Sequence, residues 1–163
     1  MKTCAVIAGA DQRRIPDQMF LASLLKSLYY DFGVKKIIAG VHRGAELSAL
    51  DFILRQKEDF PGLFVGGVFI HEEESSGWRE NEREQLFRLI SRCDEEWILH
   101  PFHGGEMRFQ RNIMMMDRSD IVFLLGRDGE TEFWAAKTKK PMLRSETKPW
   151  RVVPDLRLYR KEE

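Results

Sequence analysis

The segment KIIAGVHRGAELSALDFILRQKED, residues 36–59, predicts the fold of this chain. It opens with Lys36–Gly40, a short apolar run that ends at a glycine, which is typical of a buried strand. Ala45–Asp59 then places its leucine and isoleucine residues at helical spacing along one face. A buried strand joined by a short turn to an amphipathic helix is the repeating unit of a parallel α/β sheet.

The same alternation continues on both sides of this segment. Further strands are predicted at Thr3–Ala8, Leu63–Ile70, Glu96–His100, Ile121–Leu125 and Pro141–Leu143. Further helices are predicted at Ile15–Phe32, with Pro16 in the first turn, and at Arg79–Cys93, Met107–Arg118 and Thr131–Thr138. Near-continuous apolar strands and right-handed crossovers predict a three-layer, Rossmann-like, doubly wound and mainly parallel sheet of about five to seven strands.

Length and charge restrict the possible classes of protein. The 163 residues suit one domain, predicted at residues 1–147, with residues 148–163 as a charged tail or a last strand. Lysine plus arginine equals aspartate plus glutamate at 26 each, so there is no strong nucleic-acid signal. No apolar run is long enough to cross a membrane, and the first residues do not resemble a signal peptide. We therefore expect a cytoplasmic protein, with Cys4 and Cys93 as reduced thiols.

Polar and glycine residues collect just after the predicted strands. All four histidines do so, namely His42, His71, His100 and His103. In a doubly wound sheet the carboxyl ends of the strands meet at one edge, where ligands bind. The turns at the opposite edge contain ordinary turn residues. This asymmetry predicts a ligand site along the carboxyl edge.

Two helix starts at this edge are suited to a phosphate. Gly44 and Gly129 leave backbone N–H groups open to an anion, which the helix dipole also favours. Thr131 is either a phosphate ligand or the N-cap of its helix. Neither a GxGxxG nor a Walker A sequence is present, so a dehydrogenase and a kinase are disfavoured and no bound cofactor is predicted.

The order of these motifs resembles that of the SLOG superfamily, which includes the Lonely Guy phosphoribohydrolases and DNA-processing protein A. The likeness covers residues 3–143 and is greatest to small bacterial proteins of the YpsA type. It is carried by IIAGVHRGAE, by RFQRNIMMMDRSDIVFLL and by GRDGETEFWAAKTKKP. Arg111, Asn112, Met115 and Asp117 match an RNxxMxD pattern, whereas Glu130 stands where a glycine is expected.

The resemblance implies a homodimer that binds or senses a nucleotide or nucleotide-derived ligand. Together with the predicted edge, it yields one set of candidate ligand-binding residues: Gly9, Arg13, Gly40, His42, Gly44, Glu46, His71, Trp78, Arg111, Asn112, Asp117, Gly129 and Thr131. Arg111 would pair with a phosphate or ribose, so Arg111→Ala is expected to weaken binding while folding persists. The alternatives are a helix-surface ion pair for Arg111 and a simple helix end for Asp117.

Two other functions stay open at this point. A phosphoribohydrolase needs a carboxylate, and the candidates are Glu46, then Glu132, then the Glu72–Glu74 run, which is otherwise a solvated loop. The resemblance places Trp134 where the Lonely Guy enzymes carry their catalytic glutamate, with Glu132 about 200° away around the helix. The other alternative is a regulatory protein-interaction module.

The remaining side chains of interest allow two readings each. Trp78 either stacks on a base or covers the sheet edge. His100, His103 and Glu106 have the chemistry of metal ligands, which His42 or His71 would complete. Because the HPFH segment is a proline-containing loop whose spacing defines no coordination geometry, no metal site is predicted.

Overall fold

The computed structural model describes residues 2–9, 12, 14–71, 73–100, 107–145 and 152–154. Within these ranges the strands are β1 (Lys2–Ala8), β2 (Val34–Gly40), β3 (Phe64–His71), β4 (Glu95–His100), β5 (Ile121–Leu125), β6 (Met142–Ser145) and β7 (Val152–Pro154). They form one sheet in the order β4-β3-β2-β1-β5-β6-β7. Neighbouring strands are parallel except β6 and β7. The predicted mainly parallel, doubly wound sheet is confirmed.

Helices cover both faces of this sheet. They are α1 (Gln18–Lys26), which continues into a π-helical turn (Ser27–Asp31), α2 (Ala45–Gln56), which continues into a 3₁₀ turn (Lys57–Asp59), α3 (Glu80–Ile90), α4 (Met107–Asp117) and α5 (Gly129–Lys137). One core joins the sheet to α1, α2 and α3, and a second joins it to α4 and α5. The predicted three layers follow from this division. None of the described helices is both long and apolar enough to span a bilayer.

Several predicted element ends are wrong by a few residues. The first helix begins at Gln18 because the Asp17 side chain accepts a hydrogen bond from the Phe20 N–H at 2.9 Å and so caps it. Pro16 therefore precedes the cap instead of lying in the first turn. The last helix begins at Gly129 with Asp128 as its N-cap residue, so Thr131 is not the cap.

The end of the sheet also differs in detail from the prediction. The sixth strand is shifted to Met142–Ser145, and Val152–Pro154 of the predicted tail pairs antiparallel with it. The two cysteines are free, as predicted. Burial raises the pKa of the Cys4 thiol to about 12 and that of Cys93 to about 11.

The chain changes direction between β1 and β5. From β1 the connections proceed to β2, β3 and β4 on one side, whereas from β5 they proceed to β6 on the other. Gly9, just beyond β1, donates its N–H to the carbonyl oxygen of Leu125 at 2.9 Å. A side chain on Gly9 would collide with the backbone of Arg127. The close strand ends at this switch point mark the edge where ligands bind in such sheets.

Candidate functional site

A buried ion pair lies beneath the carboxyl edge of the sheet. Arg111 of α4 donates to both carboxylate oxygens of Glu46 in the first turn of α2, with N···O distances of 2.8 and 2.6 Å. The two residues are 0% and 2% exposed. Glu46 also accepts the backbone N–H groups of Ala8 at 3.0 Å and His42 at 3.2 Å. One carboxylate thus joins the ends of β1 and β2 to the start of α2 and to α4.

The protonation of this pair follows from its surroundings. Burial by itself raises the pKa of Glu46, but the charge and hydrogen bonds of Arg111, with help from Arg108 and the Ala8 N–H, outweigh it and lower that pKa. Burial likewise works to lower the pKa of Arg111, and the Glu46 carboxylate outweighs it and raises that pKa. Both groups are therefore charged at neutral pH.

The network continues from Arg111 toward α5. The Arg111 Nε–H donates to the Asn112 side-chain oxygen at 3.1 Å, and the Asn112 amide donates to the Thr131 hydroxyl at 3.3 Å. Thr131 in turn donates to the Asp128 carboxylate. Arg111, Asn112 and Thr131 are all within 1% of complete burial. The helix-surface alternative for Arg111 is therefore wrong, and the three motif residues lie behind the edge of the sheet.

Gly40, at the end of β2, is required by this same ion pair. A Cβ atom there would lie 2.6 Å from the Glu46 carboxyl carbon and 2.7 Å from a terminal nitrogen of Arg111. Both distances are shorter than real Cβ contacts. The group that approaches the backbone of Gly40 closely is thus the protein's own ion pair.

A small pocket of about 10 Å³ lies beside Glu46 at this edge. It is lined by Ala8, Gly9, Gln12, His42, Arg43, Ala45, Glu46 and Arg108. Gly44 adopts a φ of 98° and stands at the N-cap position of α2, where no side chain caps the helix. The Arg43 and Arg108 side chains are 39% and 26% exposed beside this helix start. Two guanidinium groups and the uncapped start of α2 therefore border the pocket, which suits an anion.

The turn after β3 contributes a second buried carboxylate. Glu74 is 9% exposed, so the prediction of a solvated loop is wrong for Glu74, whereas Glu73 is exposed. One of its oxygens accepts the Ile70 N–H at 2.6 Å, and the other lies 3.6 Å from Nδ1 of His42. Trp78 is 9% exposed and packs its ring at 88° to the His42 imidazole, with 5.6 Å between centroids. Trp78 therefore lies in the core, which agrees with the predicted role of covering the sheet edge.

A third group surrounds Glu132 in α5. Its carboxylate lies 3.0 Å from Nε of Arg127 and 3.6 Å from Nε of Arg144, and it accepts the Asp128 N–H at 3.1 Å. Glu132 is 7% exposed. Because ion pairs already occupy the carboxylate, it is not poised as a free general base.

The other candidates are distributed unevenly. His71 is 8% exposed at the end of β3, and its Nδ1 accepts the Glu73 N–H at 3.2 Å. Gly129 is exposed, with open space where a side chain would project. Asp117 lies at the far end of α4, about 15 Å along the helix from its start, and accepts the indole N–H of Trp134 at 3.0 Å. It is therefore not brought together with the others.

Part of the predicted site falls outside the described residues, namely Arg13, Glu72, His103 and Glu106. Among the residues that are described, no three histidine, cysteine or acidic side chains are arranged to hold a metal ion.

One residue near the pocket, Arg108, was missed by the sequence prediction. Arg108 precedes Arg111 by one helical turn, so spacing alone would have placed it on the same face. It donates to the carbonyl oxygen of Ala8 at the pocket wall. Glu74 was predicted only as one of three acidic residues in a run, and the sequence did not distinguish it from Glu73, which is exposed.

Comparison with known proteins agrees with this architecture. The model of the YspA SLOG family matches residues 15–155. The UPF0398 protein YpsA of Bacillus subtilis (strain 168) is 28% identical over 99 residues, which are 60% of this chain and 55% of that protein. A UPF0398 protein of Staphylococcus epidermidis (strain ATCC 35984) is 26% identical over 113 residues, 68% of this chain and 60% of that one.

The chain thus spans between half and two thirds of the length of these relatives. The family match includes the ion pair, the start of α2 and the turn before α5, and it leaves out all of β1. Since it extends over well more than half of the 163 residues, the protein belongs to the YspA SLOG family.

Proposed function

We propose that this protein binds a nucleotide or nucleotide-derived ligand in the pocket between the ends of β1 and β2. The observation that supports this best is the uncapped start of α2, which opens into the pocket beside Arg43 and Arg108. A helix start and two guanidinium groups together favour a phosphate. Membership in the YspA SLOG family also supports a nucleotide-like ligand.

The size of the pocket limits what it holds. Its volume of about 10 Å³ has room for about one water molecule and is far below the roughly 300 Å³ of a small complete ligand site. The ligand would therefore lie over the mouth of the pocket, with its phosphate at the start of α2 and its base extending along the edge of the sheet. We assign the ligand contacts to Gly9, His42, Arg43, Gly44 and Arg108. Arg111, Asn112 and Thr131 then act by holding the helix starts in place.

Isothermal titration with adenosine and guanosine 5′-monophosphates, ADP-ribose and NAD tests the proposal. Arg43→Ala is expected to lower affinity about tenfold through the loss of a charged hydrogen bond. Arg55→Ala is a matched control, because Arg55 lies at the opposite end of α2 with similar exposure. Each arginine also has an acidic partner at 3.6 Å. Equal affinities in the two variants, or no binding by the wild type, would contradict the proposal.

Native mass spectrometry of the same samples reports two further properties. A retained mass that matches an intact nucleotide supports a binding or sensing role. A protein mass of twice the chain would support the homodimer that the family resemblance implies.

The second candidate is a phosphoribohydrolase, favoured by one observation. Glu46 lines the pocket and is held ionised, and an anion there would stabilise a ribosyl cation. Against it, four donor groups already occupy this carboxylate. Chromatography would detect free base released from a nucleoside monophosphate. Release by the wild type that is abolished in Glu46→Gln would establish this activity in place of simple binding.

A further inference from the structure

His42 and Glu74 form an incomplete pair at the pocket wall. Nδ1 of His42 and Oε2 of Glu74 are 3.6 Å apart, and both atoms are inaccessible to solvent and have no hydrogen-bond partner among the described residues. The Glu74 side chain is only 3% exposed. Leaving a buried carboxylate oxygen unpaired is costly, so a hydrogen on Nδ1 directed at Oε2 is the favourable arrangement.

The neighbours of this pair hold both side chains in place. The other Glu74 oxygen is fixed by the Ile70 N–H at 2.6 Å. The imidazole is fixed by the edge-to-face contact with Trp78 and by the His42 backbone N–H, which donates to Glu46. The two atoms are thus held facing each other, 3.6 Å apart.

The remainder of the ring faces the pocket. His42 is a lining residue, and its side chain is 38% exposed although Nδ1 is inaccessible. The exposed part is therefore the side of the ring away from Nδ1, which carries Nε2. Arg43 and Arg108 offer only donors to a ligand, and the Glu46 carboxylate is already occupied. A neutral ring with its hydrogen on Nδ1 adds an acceptor to this pocket.

We propose that Glu74 is a positioning residue that keeps the hydrogen of His42 on Nδ1, so that Nε2 accepts a hydrogen bond from a ribose hydroxyl of the ligand. This inference rests on the proposed nucleotide-binding function and adds the source of its preference for ribose. The Glu74 carboxylate, the Trp78 contact and the exposed side of the His42 ring are the only groups that this arrangement requires.

The first test measures the His42 ring nitrogens by ¹⁵N NMR in the ligand-free protein, at the alkaline end of its stable pH range. The wild type is expected to carry the hydrogen on Nδ1. In Glu74→Gln, the new amide group donates to Nδ1 and moves the hydrogen to Nε2. Glu73→Gln, at the exposed neighbouring position, is the control and leaves the wild-type signals unchanged.

A wild-type hydrogen on Nε2, a ring that stays doubly protonated at this pH, or identical spectra in the wild type and Glu74→Gln would overturn the proposal. Because this measurement requires no ligand, its result is independent of the proposed function.

The second test compares adenosine 5′-monophosphate with its 2′-deoxy and 3′-deoxy analogues. The wild type is expected to bind the ribonucleotide about tenfold more tightly than one of the analogues. Glu74→Gln should lose that preference, and its affinity for nucleotides should still fall when Arg43→Ala is added. Equal affinities for all three compounds in the wild type would refute the hydroxyl contact. Absence of binding to any nucleotide would instead refute the proposed function, and the hydroxyl contact with it.

Discussion

Two glutamates in the first turns of α2 and α5 occupy comparable positions and have different surroundings. Glu46 and Glu132 are both buried beneath the carboxyl edge, at 2% and 7% exposure. Each accepts the backbone N–H of the residue four positions before it, which is His42 for Glu46 and Asp128 for Glu132. Each is also paired with arginine. The local device is therefore the same at both helix starts.

The arginines differ. Glu46 meets the fully buried fork of Arg111 through two hydrogen bonds, and the rest of that fork is bonded to Asn112. Glu132 meets Arg127, whose side chain is 70% exposed, and Arg144 at 3.6 Å. Nε and Nη1 of Arg144 have no hydrogen-bond partner among the described residues. The Glu46 carboxylate is thus held tightly, because both of its oxygens bond to the guanidinium group of one helical arginine. The Glu132 carboxylate is held loosely, because its two arginines lie in a turn and in a strand and each makes only part of the contact.

The largest effect is expected at the locked pair. Arg111→Ala leaves the Glu46 carboxylate buried without its cation, which should lower the free energy of unfolding by about 3–5 kcal/mol. Urea denaturation measures this loss. The double variant Glu46→Gln, Arg111→Met removes both charges and should be less destabilised. The matching single variants are Glu46→Gln and Arg111→Met. If the double variant loses as much unfolding free energy as these two lose in sum, the pair is not coupled.

Glycine substitutions sharpen the same contrast at a smaller scale. Gly40→Ala would force a methyl group against Glu46 and Arg111 and should cost about 1–3 kcal/mol. Gly129→Ala, at the start of α5, meets open space and should stabilise the protein by up to about 1 kcal/mol. Thermal denaturation of both variants decides the matter. Equal shifts in melting temperature would show that the region around Gly40 is not tightly packed.

Acid should reveal the ion pair with a smaller effect. The pKa of Glu46 is lowered in the fold from its ordinary value of 4.5. Its contribution to stability is therefore present above that pH and is lost as the pH falls through the lower folded value. The stability difference between the wild type and Glu46→Gln should shrink as the pH is lowered below 4.5. Parallel curves of unfolding free energy against pH would contradict this account.

The smallest effect is expected at the loosely held glutamate. Because Arg127 is largely exposed, its attraction to Glu132 is screened by water, and Arg127→Ala should cost at most about 1 kcal/mol. Urea denaturation under the conditions used for Arg111→Ala provides the comparison. A loss as large as that of Arg111→Ala would remove the distinction between the two helix starts.

Much of the fold was predictable because strand and helix leave different hydrophobic periods. Each predicted strand from Thr3–Ala8 to Ile121–Leu125 overlaps an observed one. Ends were less predictable, since a cap depends on one side chain, as Asp17 shows at the start of α1. For the site, the strand ends indicated His42 and Glu46, and the structure places both at one pocket of that edge. The burial of Glu74 was not readable from an acidic run.

The sequence by itself determined the alternation of buried strands and amphipathic helices, and with it a doubly wound sheet whose polar edge has a definite position. It also determined which residue types gather there. Only the tertiary structure decided what each one meets. Arg111 lies inside the protein because α4 and α2 cover opposite faces of the sheet and the two side chains meet at the end of β2, against Gly40. Glu46 therefore satisfies the guanidinium group that the motif appeared to offer a ligand. Periodicity is local and survives in the sequence, whereas charge pairing spans 65 residues and exists only after the chain has folded.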